Sequence, residues 1–246
     1  MSLLPPCRLS LLAVLLAGAG AASAGPYEVG STSTAQGVKF KSNVQRKHTA
    51  SKDTWVLPKV GVGGPLSERL ELTMGGGYGV VSRADGWTRG GLRDLSVGMK
   101  WRMRDEDDAH AALAIEPSLG LPIGDEAAGI GKGAYALELP LRASRRRGAL
   151  RLTGEVSASR TFGRDEDQLG AGVLLEYFGG PAWSCGMELV ADAPRTEPEA
   201  WHLRANVGAK RKFGPHVEWQ ALAGRTVENR RGQATTTFKL AYEYRF

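Results

Sequence analysis

The 246-residue sequence predicts an all-β protein: an antiparallel transmembrane β-barrel of about twelve strands, preceded by a cleaved signal peptide. Three observations predict it: the last nine residues, the first 24, and the period-2 patterning of what lies between. In the last nine, Phe238, Leu240, Tyr242, Tyr244 and Phe246 alternate with Lys239, Ala241, Glu243 and Arg245. That is a strand with one apolar and one mostly charged face. Outer-membrane barrels expose apolar faces with aromatic girdles to lipid. A C-terminal strand of an ordinary sandwich is the competing reading of this segment alone.

Residues 1–24 read as a secretory signal. Arg8 is their only charge, Leu9 to Ala19 is apolar apart from one Ser, and Ala22-Ser23-Ala24 is a small-residue cleavage site. The apolar run is shorter than the roughly 20 residues a spanning helix requires. Cleavage there leaves a chain that starts at Gly25 and holds one cysteine, Cys185, hence no internal disulfide. Residues 25–36 are polar and are expected at the periplasmic mouth, entering the lumen, with the barrel over 37–246. The net charge of +6 is spread over many segments, and an exported chain with that distribution is not expected to bind nucleic acid.

The first expected strand, Val38 to Val44, carries Lys39, Lys41 and Asn43 on one side. The second, Thr54 to Gly63, contains Pro58 and is the weakest. The third, Arg69 to Val80, aligns Leu70, Leu72, Met74, Tyr78 and Val80. In the fourth, Leu95, Val97, Met99, Trp101 and Met103 alternate with charged and small residues. The fifth sets Leu113, Ile115, Leu119 and Leu121 against Glu116 and Ser118, and the sixth sets Tyr135, Leu137, Leu139 and Leu141 against Glu138 and Arg142. Apolar faces then follow over Leu150–Ala158, Leu169–Tyr177, Trp183–Leu189, Trp201–Val207, Val217–Ala223 and the C-terminal segment. No segment after the signal sustains a 3.6-residue period, so no helix is expected. Prolines 58, 117 and 140 lie within these strands and require bulges or early strand ends, because proline donates nothing to a sheet ladder.

Most of these strands approach the 9–11 residues of a tilted membrane strand, and their even number suits a bacterial barrel. With both termini periplasmic, the expected outer connections, such as Ser82–Gly91 and Pro122–Gly133, are longer than the periplasmic ones, such as Gly179–Pro181. The same directions place Trp101, Tyr177, Trp183, Trp219, Tyr242, Tyr244 and Phe246 near the periplasmic rim. Tyr135 and Trp201 fall near the outer rim, which completes two interfacial girdles. The expected lumen lining is of mixed sign: Lys100, Arg102, Arg142, Arg151, Arg204, Lys210 and Lys239 against Glu116, Glu138, Glu155, Glu176, Glu188 and Glu218. Such a lining either forms cross-lumen ion pairs that hold a closed barrel or lines a narrow polar channel.

Two stretches, Gly91-Leu-Arg-Asp-Leu-Ser-Val-Gly-Met-Lys-Trp-Arg102 and Glu116-Pro-Ser-Leu-Gly-Leu-Pro-Ile-Gly-Asp125, resemble a known family. It is the outer-membrane transporter-like family named for the meta-pathway of phenol degradation. Leu66-Ser-Glu-Arg-Leu-Glu-Leu72 is similar to a third motif of that family, and Ile123 stands where the family usually has Thr. The likeness covers roughly residues 55 to 178. It implies an outer-membrane barrel that moves small, hydrophobic or aromatic, molecules, and it implies no catalytic residues or cofactor.

Enzyme motifs are scarce. Gly129-Ile-Gly-Lys-Gly133 fails as a phosphate loop, with Glu126 and Gly133 where Gly and Ser or Thr are needed, and reads as a mobile outer loop. His48, His110, His202 and His216 have no paired metal-ligand spacing, and none is followed by the Ser-Asn of outer-membrane phospholipases. Cys185 sits on an apolar face and reads as an inert small hydrophobe. The expectation is therefore no enzyme, no metal and no cofactor. The expected partners are outer-membrane lipid, the barrel-assembly machinery through the C-terminal strand, and a small solute. The leading function is passive passage of that solute; a closed structural or surface-interaction barrel is the alternative, and a lipid-modifying enzyme a distant third.

Overall fold

A computed structural model describes residues 26–230 and 234–246; the expected signal peptide lies outside them. Fourteen strands form one antiparallel sheet closed on itself. They are β1 (Lys39–His48), β2 (Lys52–Pro65), β3 (Leu70–Arg83), β4 (Thr88–Leu92), β5 (Leu95–Arg104), β6 (Ala112–Ile115) and β7 (Ser118–Leu121). The rest are β8 (Ala136–Arg147), β9 (Leu150–Thr161), β10 (Gln168–Phe178), β11 (Trp183–Pro194), β12 (His202–Phe213), β13 (Val217–Asn229) and β14 (Thr236–Arg245).

Two of the crossings are broken in the middle. β4 and β5 both pair with β3, β4 along Tyr78–Ser82 and β5 along Leu70–Gly75, so they form one crossing interrupted at Arg93–Asp94. β6 and β7 likewise share β5 and β8 and are interrupted at Glu116–Pro117. The wall thus has the twelve spanning strands that the periodicity predicts. Closure is made by β14 on β1, from Lys39 opposite Arg245 to His48 opposite Thr236. No helix of the described residues is long and apolar enough to cross a membrane.

The prolines explain their own surroundings. Pro58 sits in a bulge, where the β2–β3 register shifts between Val56 and Lys59. Pro117 occupies the break between β6 and β7. Pro140 stays inside β8, and its carbonyl accepts from the Glu116 N–H, 3.1 Å. In a strand the N and O of one residue point to the same side, so the missing donor of Pro140 faces that break and costs little ladder pairing.

Alternation decides the two faces. Leu169, Val173, Leu175 and Tyr177 of β10 are exposed on the outside, while Leu174 and Glu176 are buried inside. The same holds on β5, where Met99 and Trp101 point out and Lys100 is fully buried. At the end that carries the start of β1, the shortest connection is 148–149; at the other end the longest is 122–135. Short periplasmic turns and long outer loops make the first end periplasmic.

Several boundaries differ from expectation. β1 runs on to His48, so the first outer turn shrinks to 49–51. The expected loop Ser82–Gly91 is mostly strand: β3 continues to Arg83, Thr88–Leu92 is β4, and only 84–87 connects them. The Gly90-Gly91 pair hid this strand, because glycine lowers any strand signal.

Candidate functional site

The lumen is filled from both ends. Residues 26–37 enter from the periplasmic mouth and run up the inside of the wall. Tyr27 and Val29 are only 2% and 3% exposed, packed with Leu174 and Leu222. The segment has no sheet partner, so its backbone donors need acceptors, and wall carboxylates supply them. Glu188 accepts from the Glu28 and Val29 N–H groups, both at 2.9 Å. Glu155 accepts from Gly30 N–H at 2.9 Å, and Glu71 from Ala35 N–H at 2.7 Å. Arg204 holds Glu28 at 2.6 Å and Asp192 at 2.5 Å. Tyr27 Oη donates to the Gly208 carbonyl at 2.9 Å.

The wall is hollowed to receive this segment. Gly172, Gly186 and Gly208 lie on the inward face of the adjacent strands β10, β11 and β12. A Cβ at Gly172 would stand 2.6 Å from Val29, and one at Gly186 or Gly208 would press on the Tyr27 ring. Glycine inside a strand commonly marks such close approach. Replacing Gly172 by Leu is expected to displace the segment, because the nearest atom met belongs to Val29 and the wall atoms lie at ordinary contact distance. The measurement is protease access to residues 26–36 from the periplasmic side, which should rise while the barrel stays folded.

The outer plug is the connection after β7. Ala128 is fully buried and Ile130 nearly so, against Val81 on the inner face of β3. The expected mobile outer loop is therefore a packed inward fold. Its anchor is the break between β4 and β5. Asp94 Oδ1 accepts from Gly124 N–H at 3.0 Å and Oδ2 from Lys132 N–H at 2.7 Å. Asp125 N–H returns a bond to the Leu92 carbonyl at 2.9 Å, and Asp125 Oδ1 accepts from Ala128 N–H at 2.9 Å. The two stretches that carried the family resemblance thus interlock here. Asp94→Ala removes two charge-assisted bonds, each worth about 1.5–3 kcal/mol. Faster cleavage of loop 122–135 by protease added from outside is the expected result.

The charged lining forms a belt. Lys39 pairs with Glu71, reaching across Gly63 on the intervening β2. Lys41 meets Glu243 at 3.0 Å, and Arg245 meets both Glu243 at 2.6 Å and Glu218 at 3.1 Å. Lys210 reaches Glu176 at 2.6 Å. Lys100 lies 3.3 Å from Glu116, and Arg142 joins Glu116 to Glu155, the second contact at 2.5 Å. These pairs run around the wall between nearby strands. The contacts that reach into the middle are made by residues 26–37.

The other expected lining residues are dispersed. Arg102 bonds Asp105 of the second periplasmic connection at 2.9 Å and the Glu68 carbonyl of the first at 3.1 Å. Arg151 stacks on Phe178 at the periplasmic mouth. Lys239 donates to the Pro26 carbonyl at 3.2 Å. Glu138 shares the inward parity of Pro140 and Arg142 but is exposed, toward the outer end of β8. Below residues 26–37 a periplasmic vestibule of about 1140 Å³ opens, lined by Lys39, Lys41, Arg102, Arg151, Lys210, Lys212 and Arg245 against Glu68, Glu176, Glu218 and Glu243.

On the outer surface, the expected girdle residues group in pairs. Tyr177 meets Trp183 at 5.7 Å, Trp219 meets Tyr242 at 5.4 Å, and Tyr244 meets Phe246 at 5.0 Å, all edge-on. Trp101 and Tyr135 are exposed singly. Trp201 precedes β12, is half-buried, and stacks under Arg230. Inward Leu174 and Leu222 escaped the sequence reading, although their place on an otherwise polar face signals an apolar guest inside.

Neither a protein-family model nor a curated protein sequence matches the chain. Solved structures do resemble it. A COG4313 outer membrane channel from Pseudomonas putida F1 is similar with a TM-score of 0.73 and 16% identity, over 90% of this chain and 99% of that one. The translocator domain of the autotransporter NalP from Neisseria meningitidis has a TM-score of 0.57 and 14% identity, over 87% and 90%. The KdgM porin, solved with disordered oligogalacturonate, has a TM-score of 0.56 and 11% identity, over 84% and 99%. The fold of this chain is that of an outer-membrane β-barrel.

Proposed function

We propose that the protein is a passive outer-membrane channel for a small solute, with residues 26–37 as its removable stopper. One observation carries this reading: the stopper is held by hydrogen bonds to wall carboxylates and one apolar seat, while the wall is closed by its own ladder. A plug that the wall does not need for closure can move without opening the barrel. The named channel and porin among the similar structures support the reading through their shared fold.

The vestibule lining counts seven cations against four carboxylates, which favours a weak preference for anions. The motif resemblance adds a small hydrophobic or aromatic solute as the cargo, and export through cleavage after Ala24 supplies the free amino end that the stopper needs. Purified protein in planar bilayers is expected to show small, brief openings with a reversal potential shifted toward anions. Silence from both the full-length protein and a variant lacking residues 26–36 would leave the closed-barrel reading in its place.

A further inference from the structure

The lipid-facing side carries a second concavity. It lies across β12, β13, β14 and β1 and measures about 730 Å³. Its floor is made of Ala209, Ala221 and Ala223, which pair in register with one another or with Val207, Leu240 and Phe238. Alanine beside Leu and Phe on one smooth wall leaves a trough bounded by the larger side chains. Below it stands the Trp219–Tyr242 pair of the periplasmic side.

Cations stand above it on the same outward parity. Arg46 follows Val44 on β1 and lies opposite Phe238; it lines the concavity with Trp55, over whose ring it stacks at 5.2 Å. Arg225 follows Ala223 on β13, is exposed, and lies opposite Thr236, so β14 alone separates it from β1. His48 extends the row. Asp53 belongs to it too, bonded to Arg46 at 2.9 Å and 3.2 Å from His48. Two other outer connections are net acidic: 162–167 sets Asp165, Glu166 and Asp167 against Arg164, and 195–201 sets Glu197 and Glu199 against Arg195.

We propose that this trough seats a phosphorylated, multiply acylated glycolipid of the outer leaflet, of the lipid A type, with an acyl chain in the trough and a phosphate between Arg46 and Arg225. The argument is complementarity. Guanidinium groups on a lipid-facing surface are unfavourable unless they reach polar partners; Arg46 spends two of its nitrogens on Asp53, and its remaining nitrogen together with Arg225 over one apolar trough matches a phosphate above a chain. A zwitterionic phospholipid would fill the trough equally well but would not require the cation row.

The test uses the full-length barrel, purified in detergent and titrated separately with bis-phosphorylated lipid A, dephosphorylated lipid A and phosphatidylethanolamine, with retention read by native mass spectrometry. Bis-phosphorylated lipid A is expected to bind most tightly. Arg46→Gln with Arg225→Gln should weaken it about tenfold or more, the size of one charge-assisted contact, and leave the other two lipids unchanged. Ala223→Trp should weaken all three by filling the trough. Asp53→Asn, which keeps the cations, should retain binding and control for loss of the Arg46 pair. Equal retention of the three lipids, or indifference to the arginine variants, would overturn the proposal. So would a lipid-free dimer that Ala223→Trp dissociates, since the trough would then be a contact between copies.

Discussion

Deleting residues 26–36, with the export signal kept, is expected to raise single-channel conductance several-fold without unfolding the barrel. The strand ladder from β1 round to β14 is complete without them. So are the wall ion pairs, apart from the bond between Arg204 and Glu28, and Arg204 keeps Asp192. What the deletion exposes is polar: Glu188, Glu155 and Glu71 lose backbone donors but gain water in the emptied lumen. Among the described residues, Leu174, Leu222 and the partly buried Val190 lose apolar cover. Twelve strands enclose a bore between the filled eight-stranded barrel and the open sixteen-stranded porin, so the vacated space is wide enough to conduct. Unchanged conductance would show that the lumen is blocked elsewhere, and the loop anchored on Asp94 would be the next segment to remove.

The second large effect is expected from Arg142→Leu, and it falls on stability. Arg142 is buried and holds two carboxylates at once, Glu116 and Glu155. Removing one member of a buried ionic group costs about 3–5 kcal/mol, because the charges left behind have lost water without keeping a partner. Here the lower end applies. Lys100 remains 3.3 Å from Glu116, and Glu155 still accepts from Gly30. The variant should unfold at a lower urea concentration and lose its heat-resistant gel mobility at a lower temperature. It should also loosen the stopper, since a Cβ at Gly30 would touch the Arg142 guanidinium, which marks how closely the two pack. An unchanged unfolding midpoint would mean that the belt of charges is worth no more than surface pairs. Arg142→Lys is expected to fall between, keeping a cation but losing the fork that binds two acceptors.

The C-terminal strand was legible because its two faces differ chemically at every step but Ala241, from Phe238 to Phe246, and the structure pairs it along its length with β1 and β13. β10 was legible from its outward apolar row alone, since inward Leu174 breaks the contrast of its faces. What escaped the sequence was whatever did not alternate. Gly90 and Gly91 carry no face, so β4 looked like loop. Arg93 and Asp94 look like further strand residues; only the bonds that Asp94 accepts from Gly124 and Lys132, far along the chain, reveal a break. The loop after β7 is small and polar in sequence, and its burial depends on Val81 supplied by another strand. The lining charges were identifiable by parity, but their partners were not. Parity says which side a residue faces and nothing about which neighbour on the circumference lies within reach, so it left cross-lumen pairs and a channel lining both open, and the pairs are made along the wall.

That arrangement has a mechanical consequence. Charges tied to one another across a tube act as spokes, and a spoked tube deforms when its centre is emptied. Charges tied along the circumference act as a hoop. From Lys39 with Glu71, through Lys100, Glu116, Arg142 and Glu155, and on the other flank through Glu218, Glu243 and Lys41, this wall carries much of a hoop. A hooped tube resists the sideways squeeze of the surrounding lipid by itself, and its bore is expected to keep the same cross-section when its centre is emptied.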